Sequence, residues 1–325
     1  MTPRASNPDA AAGWSRRELL ACAAVAPLAT LAAGAARAAG APVAPAGGIR
    51  RRPIPSSGET LPVVGLGTYR VLDIEPAAFP GFDPLVARFA ALGARVIDTS
   101  PMYDRAEAAV GALVERAAAR ERVFLATKVW TTGRAEGVTQ MEQSLRLLRT
   151  QTIDLMQVHN LLDVDTHLAT LAGWKRDGRV RYVGVTHYTA SHHAALAERV
   201  RKGGLDFVQV NYSIAEREAE RELLPLCQSA GVAVLANRPF AAGSAFKRLR
   251  EVALPDWLAE RGCATWAQAM LKFVLGHPAV TCAIPATSKV GHLEENLAAG
   301  SGWLPDPDER ARLAEALDRA LAPAG

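Results

Sequence analysis

Four side chains in this sequence are placed for proton chemistry. Asp98 and Tyr103 share the stretch Ile97-Asp98-Thr99-Ser100-Pro101-Met102-Tyr103, Lys128 lies in Ala126-Thr127-Lys128-Val129-Trp130, and His159 follows Val158. Each closes or follows a short apolar run. A lysine in such a run needs a partner to offset the water its ammonium loses, and Asp98 is the available carboxylate. The pair would set a cation beside the Tyr103 hydroxyl and favour phenolate, lowering a pKa that is about 10 in the free side chain. His159 can donate or accept a hydrogen bond at the same point. A tuned phenol with neither a nucleophile nor a metal-ligand cluster suits moving one proton to or from an oxygen that gains or loses charge. Carbonyl reduction needs that step together with a hydride. No side chain provides a hydride, so a cofactor is expected.

The elements that must position these residues alternate along the chain. Starting from Val63-Val64-Gly65-Leu66-Gly67-Thr68-Tyr69, strands are expected at 94–98, 123–129, 153–158, 182–186, 207–211, 232–236 and 280–284. Amphipathic helical stretches separate them, at 83–92, 107–119, 137–148, 166–177, 191–200, 217–229 and 265–275, with a last one near 308–321. The strands are apolar without clean alternation, as in a parallel sheet covered on both faces. Eight βα units imply an α/β fold, a (β/α)8 TIM barrel, preceded by an N-terminal β-hairpin at 54–61 around Ser56-Ser57-Gly58-Glu59. No G-x-G-x-x-G follows an early strand, which disfavours an open doubly wound sheet. In a barrel the C-terminal strand ends converge on one face. Asp98, Lys128 and His159 end or follow three successive strands, and Tyr103 leans in from the loop after the first of these. Tyr69 and Trp130 follow rim strands and are candidates for lining a substrate pocket. His192 and His193 open a helix away from that rim and read as solvated rather than as metal ligands; no metal is expected.

Residues 1–38 read as a signal peptide. Ser15-Arg16-Arg17 precedes an Ala/Leu/Val-rich run that ends at Ala36-Arg37-Ala38, the layout of a charged region, an apolar region and a small-residue cleavage site. The paired arginines resemble the twin-arginine export signal, so the twin-arginine translocase is an expected transient partner and the periplasm the expected location. The apolar run is too short and Ala-rich for a stable membrane span. Residues 39–52, rich in Pro, Gly and Ala, read as a linker, and the barrel as 53–325. The signal segment holds four arginines against Asp9 and Glu18, a net of +2, so only +2 of the overall +4 belongs to the rest. No basic block remains to follow a phosphate backbone, and nucleic acid is not an expected partner. Outside the signal segment stand Cys227, Cys263 and Cys282, an odd set at no metal-ligand spacing, which reads as buried thiols.

These motifs resemble the aldo/keto reductases. The resemblance runs through the hairpin, Gly65-Leu66-Gly67-Thr68, Asp98-Thr99-Ser100-x-x-Tyr103, Lys128, Val158-His159, Val183-Gly184-Val185-Thr186-His187-Tyr188, Gln209-Val210-Asn211-Tyr212, Ile284-Pro285 and Glu294-Glu295-Asn296. It implies a (β/α)8 oxidoreductase using NADP(H), less often NAD(H), on an aldehyde, a ketone or the matching alcohol. Tyr103 is then the general acid/base, Asp98 and Lys128 tune it, and His159 orients the carbonyl. By the same resemblance Gly67 and Thr68 border the cofactor, and Thr186 and Gln209 bond the nicotinamide carboxamide. His187 replaces a common Asn, which makes its tautomer a question. Asn237 stands where many members carry an aromatic that stacks on the nicotinamide. Arg238-Pro239-Phe240 corresponds to the pyrophosphate loop. Ala286 and His292 replace two residues that clasp the 2′-phosphate in some members, leaving Thr287, Ser288, Lys289 and the helix with Glu295 and Asn296 for the adenosine end. A cofactor-binding redox sensor without turnover is the alternative, and the intact set at Asp98, Tyr103, Lys128 and His159 argues against it.

Overall fold

Short runs of Val, Leu, Ile and Ala pair side by side as parallel strands, in the same order along the sheet as along the chain. The structure, a computed structural model, describes residues 48–322. The export-signal reading of residues 1–38 therefore lies outside the described residues, as does most of the 39–52 linker. The chain first forms an antiparallel hairpin, β1 (Arg51–Pro53) and β2 (Thr60–Pro62), so its first strand begins inside the segment read as linker. Eight parallel strands follow: β3 (Leu66–Gly67), β4 (Val96–Asp98), β5 (Phe124–Val129), β6 (Ile153–His159), β7 (Val180–His187), β8 (Phe207–Asn211), β9 (Ala233–Asn237) and β10 (Val280–Ala283). The helices between and after them are α1 (Phe79–Ala91), α2 (Ala106–Arg116), α3 (Arg134–Leu147), α4 (Val164–Arg176), α5 (His193–Lys202), α6 (Leu223–Ser229), α7 (Phe246–Leu249), α8 (Asp256–Glu260), α9 (Trp266–Gly276), α10 (Val290–Ala298) and α11 (Pro307–Ala320). The helix expected at 217–229 is shorter, because Glu218–Glu220 form a separate 3-10 turn. Glu220 is held there by the Tyr212 hydroxyl at 2.6 Å and by Arg310 at 2.6 Å.

The two outer strands of the sheet meet. Gly65 N donates to Ala283 O at 2.8 Å, Ala283 N to Val63 O at 2.9 Å and Gly67 N to Pro285 O at 3.0 Å. A Cβ at Gly67 would stand 2.7 Å from Ile284 O, so this approach requires glycine.

Side chains alternate across each strand with period two. One set, including Ile97, Leu125, Met156, Val158, Val183, Val208 and Val234, packs with the helices. The other set, including Val96, Phe124, Ala126, Leu155, Tyr182, Phe207 and Leu235, forms a second core with Ile54 and Leu61 of the hairpin. Burying those two aliphatic side chains contributes roughly 1.5–3 kcal/mol each, and Ser57 Oγ and Glu59 bind the Tyr182 hydroxyl at 2.7 and 2.9 Å. The hairpin thus closes the N-terminal mouth. Two residues further along the inner face the side chains turn polar: Asp98 after Val96, Lys128 after Ala126, Gln157 after Leu155, Gln209 after Phe207 and Asn237 after Leu235. The apolar floor places these groups together at the open end.

Arg52 donates to Leu275 O at 2.6 Å and His277 O at 2.9 Å, satisfying carbonyls at the end of α9. Beside it, the buried His277 accepts from Ala279 N at 3.2 Å. Burial, with Arg310 nearby, drives its pKa down to about 4, against about 6.5 in an unfolded chain. Between those values the unfolded chain holds a proton that the folded one does not. Stability is therefore complete above about pH 6.5 and declines as the pH falls through the folded value. Melting temperatures followed from pH 7 to 4.5 should fall, and His277→Gln should flatten the fall; an unaltered slope would remove His277 from the explanation. Among the described residues no helix is long and apolar enough to cross a membrane.

Candidate active site

The lysine that stands out in the sequence is wholly enclosed. Lys128 Nζ donates to Asp98 Oδ2 at 2.7 Å and to Thr99 O at 2.7 Å. Burial opposes its charge, but the Asp98 carboxylate and then Tyr103 outweigh it and hold the ammonium pKa above the ordinary lysine value. The second oxygen of Asp98 accepts from Gln209 Nε2 at 2.7 Å and Gln157 Nε2 at 3.2 Å. Thr68 donates its hydroxyl to Asp98 O at 3.0 Å, so it supports the catalytic strand end. Gln157 is a site residue that the sequence reading missed. Its signal is its place two residues before His159, on the same face of β6. Gly184 leaves it room: a Cβ there would stand 2.7 Å from Phe207 O and 3.3 Å from Gln157 Cγ.

Tyr103 is brought over this pair by a turn in which its N–H donates to Ser100 O at 3.0 Å. Lys128 Nζ lies 4.9 Å from the centre of its ring. The expected depression of the phenol pKa is reversed. Burial drives it upward, and the Lys128 charge and hydrogen bond offset only part of that, with Asp98 adding to the rise. Removing a phenolate from water outweighs one ammonium that is itself paired with a carboxylate. The group is therefore held as an acid. His159 stands edge-on to the Tyr103 ring at 6.0 Å. Burial, then the charge of Lys128 and then His187 push its pKa well below the usual imidazole value, so it is neutral at pH 7. Its Nδ1 is 3.1 Å from Ser100 Oγ, which also accepts from Met102 N at 3.2 Å. Tyr69, 46% exposed, packs 5.0 Å from Tyr103, and Trp130 lies 6.4 Å from His159, so both expected pocket residues border the acid and the imidazole.

Beyond Asp98 the polar surface continues across β7 to β9. Thr186 and Asn237 Nδ2 each donate to Gln209 Oε1 at 3.3 Å. His187 Nδ1 accepts from the backbone N–H groups of Tyr188 at 3.0 Å and Thr189 at 3.3 Å, which answers the tautomer question: the proton is on Nε2. His192 is not remote from the rim. The short loop folds back and stacks its ring on His187 at 3.6 Å, while His193 bonds Asn211 at 2.9 Å. Arg238 has a left-handed backbone and pairs with Glu216 at 3.5 Å.

A cavity of about 580 Å³ lies further along, lined by Phe240, Arg250, Thr287, His292, Glu295 and Asn296 among others. Ser288 and Lys289 are exposed and do not line it, with Lys289 serving as the residue before α10. Arg250, absent from the sequence reading, does line it; its place just after the short helix α7 carries no local signature. A second cavity of about 570 Å³, with Asp104, Glu107, Gln140 and Arg146 in its wall, faces α2 and α3 rather than the polar strand ends.

The geometry offers a proton donor, a charge that steadies its conjugate base and a neutral imidazole at neighbouring strand ends, with a separate cavity that Arg250 and His292 help to line. The Aldo/keto reductase family model matches residues 63–318. Methylglyoxal reductase YeaE of Escherichia coli K12 is 30% identical over 258 residues, covering 77% of this chain and 89% of that protein. Methylglyoxal reductase DkgB of Escherichia coli O157:H7 is 27% identical over 278 residues, covering 82% and 97%. The crystal structure of an aldo/keto reductase from Klebsiella pneumoniae in complex with NADP and acetate matches with a TM-score of 0.69 at 28% identity, over 80% of this chain and 93% of that one.

Proposed function

This chain belongs to the aldo/keto reductase family, and from that premise we propose that it reduces a small aldehyde or ketone with NADP(H), or oxidises the matching alcohol. The observation that carries the proposal is the meeting of Tyr103, Lys128, Asp98 and His159 at one mouth of the barrel. The residues present fit a dinucleotide. Polar side chains at the ends of β4, β8 and β9, Asp98, Gln209 and Asn237, lead to the Arg238-Pro239-Phe240 loop, whose Phe240 lines the cavity with Arg250, Thr287 and Asn296.

When bound, the nicotinamide supplies or accepts the hydride. The chain's own part is proton delivery and positioning. The neutral His159 presents an imidazole to the carbonyl oxygen without adding charge. Tyr103, kept protonated by its burial, gives its proton to that oxygen as charge gathers there. Lys128 then stands beside the phenolate left behind, and Asp98 holds Lys128 in place. Tyr69 and Trp130 wall the pocket against water. The relatives named methylglyoxal reductases make small dicarbonyls the first substrates to try. Steady-state NADPH oxidation against a panel of aldehydes and ketones tests the reading; a protein that binds NADPH and consumes none of it with any carbonyl would overturn it.

The cavity lining favours a different discriminator between the two nucleotides from the one the sequence suggested. Arg250 and His292 line the cavity, and Lys289 does not. Arg250→Ala should raise the Kd for NADPH about tenfold, the loss of one charge-assisted hydrogen bond, and leave that for NADH little changed. Lys289→Ala should alter neither. The opposite ranking in a fluorescence titration would return the 2′-phosphate to Lys289.

A further inference from the structure

We propose that Gln140 of α3 decides which carbonyls the pocket accepts, by holding the main chain of Trp130, the wall beside His159. The proposal rests on the carbonyl-reduction reading above and assigns a specificity-determining position to that same site. β5 pairs with β6 as far as Val129 and Val158, so Trp130 is the first residue beyond the ladder. Half-buried there, its peptide groups still need partners. Gln140 supplies both. Its Oε1 accepts from Trp130 N at 2.6 Å, and its Nε2 donates to Trp130 O at 3.1 Å. A side-chain amide carries the same donor and acceptor as a peptide group, so α3 extends the pattern of the sheet by one residue.

The rest of the loop is held from the other side. His167, fully buried on α4, donates from Nε2 to Thr131 O at 2.7 Å, and Gly133 N donates to Asp163 Oδ2 at 2.8 Å. Gly137 of α3 makes room for that imidazole, since a Cβ there would stand 2.5 Å from His167 Cε1. Asp163 lies at the end of the segment that leaves His159. Asn160, Leu161 and Asp163 all have left-handed backbones there, which residues other than glycine keep only where surrounding contacts hold them. Trp130 and His159, with rings 6.4 Å apart, are thus carried by two loops tied to each other. Of these ties, only the pair from Gln140 reaches Trp130 itself. With both peptide groups fixed, the indole keeps one distance from His159, which suits a small carbonyl and leaves less room for a wide ring. Gln140 lines the cavity against α2 and α3, so it acts through Trp130 and is a positioning residue.

Two aldehydes of different width, methylglyoxal and 2-naphthaldehyde, test the proposal in steady-state reduction with NADPH. Gln140→Met keeps the side-chain length and removes both bonds. It should raise KM for methylglyoxal about tenfold, hold kcat within about twofold, and leave KM for 2-naphthaldehyde unchanged or lower. Gln140→Glu keeps the acceptor for Trp130 N and should recover part of that loss. Thr139→Ala, the neighbouring change on α3, should move neither substrate. The Kd for NADPH should stay within about twofold in all three variants. Hydrogen exchange reads the same contact without turnover: the Trp130 amide should exchange at least about tenfold faster in Gln140→Met than in wild type. Unchanged exchange at Trp130, or a KM that rises equally for both aldehydes, would overturn the proposal. A wild type that consumes no NADPH with any carbonyl would overturn the carbonyl reading instead, and the exchange result would still decide whether Gln140 holds Trp130.

Discussion

Tyr103→Phe should lower kcat for carbonyl reduction by at least about a hundredfold and leave the Kd for NADPH within about twofold, the signature of a lost general acid. The ring keeps its packing against Tyr69 at 5.0 Å and His159 at 6.0 Å, so the fold and pocket survive the change. Only the proton source goes. Neither His159 nor Lys128 can replace it: the imidazole is held neutral by its burial, and the ammonium is committed to Asp98 and Thr99 O. Single-turnover reduction with NADPH already bound is the decisive measurement. A variant that keeps more than a tenth of the wild-type rate would remove Tyr103 from the role.

Lys128→Met should slow both directions and carry the ascending, acid-side limb of alcohol oxidation to higher pH. Alcohol oxidation needs the phenolate as base, and Lys128 is the group that pulls the phenol pKa down against burial and Asp98. Without it the phenol rises further, so the rate requires a higher pH to appear. The variant also leaves Asp98 charged and buried with only Gln157 and Gln209 bonded to it. Breaking one side of a buried pair costs about 3–5 kcal/mol, and those two bonds favour the lower figure. Adding Asp98→Asn should recover much of the lost stability in urea melts while activity stays absent. A pH profile that does not move in Lys128→Met would make the lysine purely structural.

The reversed direction at Tyr103 shows where sequence reading reaches its limit. The presence of a cation near the phenol was legible, because a lysine in Ala126-Thr127-Lys128-Val129 needs a carboxylate and Asp98 ends the preceding strand. The balance was not legible. It sums the depth of the phenol, the neutralisation of Lys128 by Asp98 and the charge on Asp98 itself, and those terms exist only once three segments are packed. The same holds for Gln209. Its residue type is compatible with a cofactor contact, but its partners within the protein lie on β4, β6, β7 and β9.

The eight strands, most of the helices between them, a hairpin ahead of them and the candidate proton-site residues were legible in the sequence alone; α7, α8 and the 3-10 turn at Glu218–Glu220 were not. Each legible feature is a local statement: a short apolar run, a helical spacing, or a polar residue out of place in such a run. Tertiary structure decided the rest. It set the acid state of Tyr103, the tautomer of His187 and the bonds of Gln157 and Gln209 to Asp98. It also brought Arg250 rather than Lys289 to the wall of the cavity beside Phe240 and Thr287. Those properties depend on burial and on hydrogen-bond partners supplied from distant parts of the chain, and no stretch of neighbouring residues encodes who those partners will be.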